Sequence, residues 1–174
     1  MEREHECDRN AAATCAEAVF MREALSEAAK AAEAGEIPIG AVVEKDGLII
    51  GRGRNRTETE KDPTAHAEIE AIKQAAKTLG AWRLTDCRMY VTTEPCAMCA
   101  GALVLARVDK VYIGALNVKG GACVSLRNLL WDDRLNHRVD LETGVLRDEC
   151  EHIIKEFFAR LRAEKRMYSE DEHL

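Results

Sequence analysis

The sequence predicts an α/β protein with five strands in one mixed sheet and helices on both sides. Three observations carry this. Helical and strand-like apolar patterns follow one another in the order α-β-β-α-β-α-β-α, with a brief fifth strand near the end. The first two strands are joined by Lys45-Asp46-Gly47, and Asp-Gly tolerates the positive φ of a tight hairpin turn. Later strands are separated by helix-length segments, which predicts crossovers and parallel pairing.

The elements follow in order. Phe20, Met21, Leu25 and Ala28 recur at helical spacing and predict a helix over 18–34, stopped by Gly35. The β-branched run at 37–44 and the run at 48–53 predict the hairpin strands. Residues 54–62 are polar and predict a loop. Pro63 suits a first helical turn, and the apolar pattern of 65–79 predicts the helix that follows it. A strand is expected over 88–92, a helix over 96–107 opened by Pro95, and a strand over 110–115. Beyond the Gly120-Gly121 loop, a short helix is expected over 125–131 and a brief strand over 139–141. Ile153, Ile154, Phe157, Phe158 and Leu161 predict a terminal helix over 148–167.

At 174 residues the chain has the size of one domain that buries its own core. We expect that domain to occupy 18–168, between a poorly ordered extension at 1–17 and an acidic tail at 169–174. No apolar run approaches the roughly 20 residues a membrane helix needs. The N-terminus lacks the basic-then-apolar pattern of a secretory signal, so a cytoplasmic location and no membrane partner are expected. Seven cysteines, an odd number, fit a reducing compartment. Cys7, Cys15, Cys87, Cys123 and Cys150 stand alone and read as ordinary thiols.

Cys96 and Cys99 differ, because they have ligand spacing and follow Pro95. A lone C-x-x-C could be half a structural zinc site or a redox pair. A zinc ribbon needs a second such pair, and a redox pair leaves His66-Ala67-Glu68 without a role. Three residues apart, Cys96 and Cys99 share one face of a starting helix, where the positive helix end favours thiolates. At a helix start, His66 and Glu68 can both lean beyond the helix end. The set His66, Cys96 and Cys99 is then a neutral zinc site with one open position, because two thiolates cancel the ion's charge. Such an ion lowers the pKa of a water to about 7. Glu68 is expected not to ligate but to carry the water's proton to the substrate. His-x-Glu followed by Pro-Cys-x-x-Cys is itself the known signature of zinc nucleobase deaminases.

The resemblance extends well past the metal motif. Pro38-Ile39-Gly40-Ala41-Val42, Asn55-Arg56, DPTAHAEI at 62–69, YVTTEPCAMCAGA at 90–102, Gly120-Gly121-Ala122, LNHRV at 135–139 and GVLRDEC at 144–150 resemble the bacterial tRNA-specific adenosine deaminases. The similarity runs from about Ala18 to about Arg166. It implies a three-layer cytidine deaminase-like fold, one Zn2+ per subunit and a homodimer. It also implies conversion of adenosine to inosine at the wobble position of a tRNA anticodon loop, in bacteria typically that of an arginine tRNA, with no DNA as natural substrate. By motif position, Asn55 would hydrogen-bond the flipped nucleoside and Ile39 would wall its base. Ala67 and Asn117 join these contacts, with Lys119 in the loop and Arg162 on the terminal helix beside neighbouring nucleotides.

Three positions depart from the family pattern. Thr93 is often apolar in relatives, Val124 stands where Gly is usual, and Asn117 where some members are acidic. The net charge of −6 is unusual for an RNA-binding protein. Basic residues cluster at Arg52, Arg54 and Arg56 and along 155–166, and these two groups are the expected RNA footprint. A small-molecule guanine or nucleoside deaminase with the same metal site is the nearest alternative, and a zinc module that only scaffolds a partner is a more distant one.

Overall fold

The computed structural model describes residues 15–171. The expected extension at 1–17 lies mostly outside the described residues, as do residues 172–174 of the expected tail. The elements are α1 (Cys15–Glu33), β1 (Gly40–Lys45), β2 (Leu48–Arg54), α2 (Thr57–Glu60), α3 (Ala67–Leu79), β3 (Arg88–Thr93), α4 (Ala97–Ala106), β4 (Lys110–Ala115), a 3-10 turn (Leu129–Trp131), β5 (Asp140–Thr143) and α5 (Arg147–Asp171).

The sheet has the order β2-β1-β3-β4-β5. β1 pairs antiparallel with both β2 and β3, while β3–β4 and β4–β5 are parallel. The crossover through α3 therefore steps over β1, and β2 and β3 run in the same direction without touching. On one face α1 and α5 cover Val42, Tyr90, Tyr112 and Ala115, and Met21 and Ala24 pack onto the same cluster. Tyr90 and Tyr112 stack there with centroids 4.6 Å apart. On the other face α3 and α4 bury Ala41, Val43, Met89, Val91, Val111 and Ile113. This is the three-layer, mixed five-stranded arrangement the element order implies.

The layer carrying α3 is set unusually close to the sheet. Ala67, Ala71 and Ala75 form its buried stripe, and they face glycines of β2. A Cβ at Gly53 would lie 2.0 Å from the Ala67 carbonyl oxygen, and one at Gly51 2.3 Å from that of Ala71. The helix backbone thus rests on the strand backbone, which fixes the height of the first turn of α3 above the sheet.

Most boundaries lie within a few residues of expectation, and two segments differ in kind. Thr57–Glu60 forms one helical turn inside the expected loop. The expected helix over 125–131 is reduced to the 3-10 turn at Leu129–Trp131. Among the described residues, no helix is long and apolar enough to cross a membrane.

Candidate active site

His66 and Cys96 are both helix N-cap residues, with extended backbones (φ −84°, ψ 152° and φ −73°, ψ 176°). Neither side chain bonds its own helix end, so both are free to reach past it. The approach to His66 is a tight Asx turn. Asp62 Oδ1 accepts from the Thr64 N–H and hydroxyl, each at 2.7 Å, and the Ala65 N–H closes the turn on the Asp62 carbonyl at 3.1 Å. β3 ends at Thr93, two residues before Pro95, and Cys99 falls in the first turn of α4.

The three side chains converge. His66 Nδ1 lies 3.7 Å from Cys96 Sγ and 3.5 Å from Cys99 Sγ, and all three ligand atoms are within 4.8 Å of one another. A tetrahedral zinc bound at about 2.3 Å to sulfur and about 2.05 Å to nitrogen separates S and N by about 3.6 Å. The donor set and its spacing fit zinc. Two sulfurs and a ring nitrogen also favour it over the oxygen-seeking Ca2+ and Mg2+.

The proton distribution shows what such an ion would displace. Cys96 is held down to about 3 by the Cys99 thiol that donates to it, and then by His66. Cys99 is pushed up because it supplies that proton and because it is buried. The contact with Cys96 likewise raises His66. With one thiol held down and its neighbour pushed up, a cation bound here would have to displace the Cys99 proton.

Glu68 lies one residue into α3, 4% exposed, and is not one of the three converging ligands. Burial raises its pKa above the usual carboxylate range, opposed by its own backbone N–H and by His66. His66, Cys96 and Glu68 open on a cavity also lined by Ile39, Asn55, Ala67, Thr93, Glu94 and Asn117. Four of the six residues expected to touch substrate, Ile39, Asn55, Ala67 and Asn117, are thus gathered in one place. Lys119 is exposed two residues past Asn117, and Arg162 is exposed on α5, in the opposite layer; neither lines the cavity.

Comparison with known proteins agrees with this geometry. The MafB19-like deaminase family matches residues 16–162. A tRNA-specific adenosine deaminase of Bacillus subtilis is 50% identical over 148 residues, covering 85% of this chain and 92% of that protein. The chain belongs to the tRNA-specific adenosine deaminase family. A solved structure from work on A-to-I editing by tRNA:A34 deaminases at the wobble position of transfer RNA superposes with a TM-score of 0.75. It is 44% identical and covers 78% of this chain and 98% of its own. A guanine deaminase from Bacillus subtilis is 47% identical over a shorter region, 56% of this chain and 63% of that one, at a TM-score of 0.54.

Two carboxylates that the sequence reading left without a role hold this deaminase's cavity together. Glu36, 1% exposed, accepts from Asn55 Nδ2 at 3.2 Å, the Thr57 hydroxyl at 3.4 Å, and the backbone N–H groups of Glu58 (3.2 Å) and Thr59 (2.6 Å). It fixes Asn55 and caps α2 together. Glu94, 2% exposed, accepts from the N–H groups of Asn117 (3.0 Å), Cys123 (3.1 Å), Val124 (2.7 Å) and Ser125 (2.8 Å), and from the Ser125 hydroxyl. For both, burial pushes the pKa up and these donors outweigh it, so each carboxyl is held below its ordinary value. Gly121 passes so close to Glu94 that a Cβ there would lie 2.2 Å from the carboxyl carbon. The same loop is tied to the metal segment through an Ala122 N–H to Pro95 carbonyl bond of 2.9 Å. The available signal was Glu94 itself, an acid placed directly after a fully buried strand end.

The deaminase's basic residues at 52–56, and some of those on α5, have acidic partners within the chain. Arg52 pairs with Glu23 at 2.7 Å, Arg54 with Glu27 at 3.3 Å and Arg56 with Glu60 at 2.8 Å. On α5, Lys155 pairs with Glu151 at 2.6 Å and Arg160 with Glu164 at 3.9 Å. The paired arginines of β2 offer RNA less free charge than their count in the sequence implies.

Proposed function

We propose that this protein deaminates adenosine to inosine hydrolytically at the wobble position of a tRNA anticodon, with zinc held by His66, Cys96 and Cys99. The observation that carries this reading is the convergence of a three-ligand sulfur and nitrogen site with a buried, non-ligating carboxylate on one cavity. Identity of 50% over 92% of a tRNA-specific adenosine deaminase supports the substrate.

Bound zinc acts as a Lewis acid that brings a water's pKa to about 7. The residues of the chain do the rest. Glu68 takes the water's proton and delivers it to the ring nitrogen beside the attacked carbon. It then helps pass a proton to the exocyclic amine, which leaves as ammonia while a carbonyl remains. Burial suits Glu68 to this work, because it raises the affinity of the carboxyl for the proton it must carry. Asn55, oriented by Glu36, holds the flipped nucleoside, and Ile39 and Ala67 wall the base. Asn117 and Lys119 meet the flanking nucleotides from the loop anchored by Glu94, and Arg162 meets the RNA backbone from α5.

The rest of the reading rests on the family resemblance and on the sequence pattern. The deaminase domain spans 18–168, acts as a homodimer in the cytoplasm with one zinc per subunit, and takes an arginine tRNA. Likeness to a guanine deaminase favours one second reading, a small-molecule deaminase with the same metal site. A direct comparison decides between them. Inosine should form in an anticodon stem-loop carrying a wobble adenosine, and little ammonia should come from free guanine, cytosine or adenosine. The opposite pattern would refute the tRNA reading.

A further inference from the structure

Thr92 and Thr93 close β3, and strand alternation sends them to opposite faces of the sheet. The Thr92 hydroxyl accepts from the Gly40 N–H at 3.1 Å and so has a partner within the fold. Thr93 points with Val91 toward the α3–α4 face, at the strand end, and lines the cavity. It is 7% exposed, and its Oγ1 is buried without a hydrogen-bond partner among the described residues.

The contrast with its neighbours is informative. Asn55 is held by Glu36, Glu94 by the loop amides, and Asn117 Oδ1 accepts from the N–H groups of Lys119 (3.3 Å) and Gly120 (3.1 Å). Those polar groups are engaged in building the cavity. A buried hydroxyl without a partner is costly, and valine has the same shape without that cost. Thr93 therefore brings to the cavity a donor and acceptor that the fold itself does not use.

We propose that Thr93 is a substrate-binding residue whose hydroxyl hydrogen-bonds a purine ring nitrogen other than the one Glu68 protonates. The inference rests on the deaminase reading above. The base enters this cavity to place its amine-bearing carbon at the metal, and the hydroxyl of Thr93, which lines the cavity with Ile39, Asn55 and Asn117, meets another part of the ring edge. Purines offer two further acceptors there, N3 and N7. A single hydroxyl with both donor and acceptor capacity suits either.

The test uses full-length, zinc-loaded protein as wild type, Thr93→Val and Thr93→Ser. The substrates are anticodon stem-loops carrying adenosine, 3-deazaadenosine or 7-deazaadenosine at the wobble position. With adenosine, Thr93→Val should lose about fivefold to tenfold in kcat/KM, keep its zinc, and melt no lower than wild type. Thr93→Ser should retain activity within about twofold, because it keeps the hydroxyl. With one of the two deaza substrates the wild type should fall to the level of the variant, and the variant should lose nothing more. Equal kcat/KM for wild type and Thr93→Val on adenosine overturns the inference. So does a valine penalty that persists on both deaza substrates, or one that comes with lost zinc or a lower Tm. A wild type inert toward every stem-loop refutes the functional reading itself, and this inference with it.

Discussion

Replacing Glu94 with Gln removes a charge and almost no volume, and the structure fixes what is lost. Oε1 accepts from the N–H groups of Cys123, Val124 and Ser125, and Oε2 from the Asn117 N–H and the Ser125 hydroxyl. A glutamine that keeps its oxygen toward the three clustered amides turns its NH2 toward Asn117. The Ser125 hydroxyl can rotate to accept from that group; the Asn117 N–H cannot. One buried donor is stranded, at about 1–3 kcal/mol, and the surviving bonds lose their charge assistance. Glu94→Gln should destabilise the zinc-loaded protein by about 2–4 kcal/mol, read as a shifted denaturant midpoint at unchanged slope. It should also lower kcat/KM on the stem-loop by at least about tenfold, because Asn117 loses its anchor. The sign with pH is fixed as well. The Glu94 carboxyl is held below its ordinary 4.5, so its stabilisation is fully present above that value and is lost as pH falls through the lower, folded value. The gap between wild type and variant should stay constant from neutral pH to the mid-4 range and close below it. A neutral-pH gap under about 0.5 kcal/mol would refute the reasoning, since exposed substitutions commonly reach that size.

Glu36→Gln should raise KM about fivefold to twentyfold with a smaller change in kcat, because it loosens Asn55 and α2 but leaves the metal ligands in place. Equal effects on kcat and KM, or loss of zinc, would contradict that role. Chelation should abolish turnover and zinc should restore it. Zinc uptake at pH 6 should release about two protons, since the Cys99 thiol is pushed up and the His66 ring, raised above 6.5, also carries a proton that ligation displaces; uptake without proton release would mean the ligands are arranged otherwise. Arg162→Ala should weaken stem-loop binding in all sequence contexts and reduce the salt slope by about one; an unchanged slope removes Arg162 from the RNA footprint.

The convergence of His66, Cys96 and Cys99 was readable because its chemistry is local. Proline and a cap position mark where each helix starts, and three-residue spacing places Cys96 and Cys99 on one face. The layer order was readable for a similar reason, since strand and helix periods differ and the Asp46-Gly47 turn forces a hairpin. What escaped was organised over long separations. Residues 125–131 carry a helical pattern, yet Glu94 takes the N–H groups of Cys123, Val124 and Ser125 into one carboxylate. Those amides wrap around it, and the chain there turns instead of winding. The short α2 has no cap of its own; its free amides are met by Glu36, more than 20 residues earlier. The arginines of β2 read as an exposed basic run because nothing local shows Glu23 and Glu27 of α1 lying beside them. Thr93 looked only like a departure from an apolar position. Its meaning depends on which face of the sheet it occupies and on the absence of a partner for its hydroxyl among the described residues.

The central claim is that His66, Cys96 and Cys99 hold the metal while Glu68 moves protons for a wobble adenosine. Inosine formation in an anticodon stem-loop by wild type and Glu68→Gln, with zinc measured in both, tests it most directly. We expect stoichiometric inosine at the wobble position alone with wild type. The variant should hold one zinc per chain and lose at least about a thousandfold in rate, because a general acid–base group that also serves both proton transfers has no substitute here. Substantial turnover by Glu68→Gln, or loss of its zinc, would contradict the account.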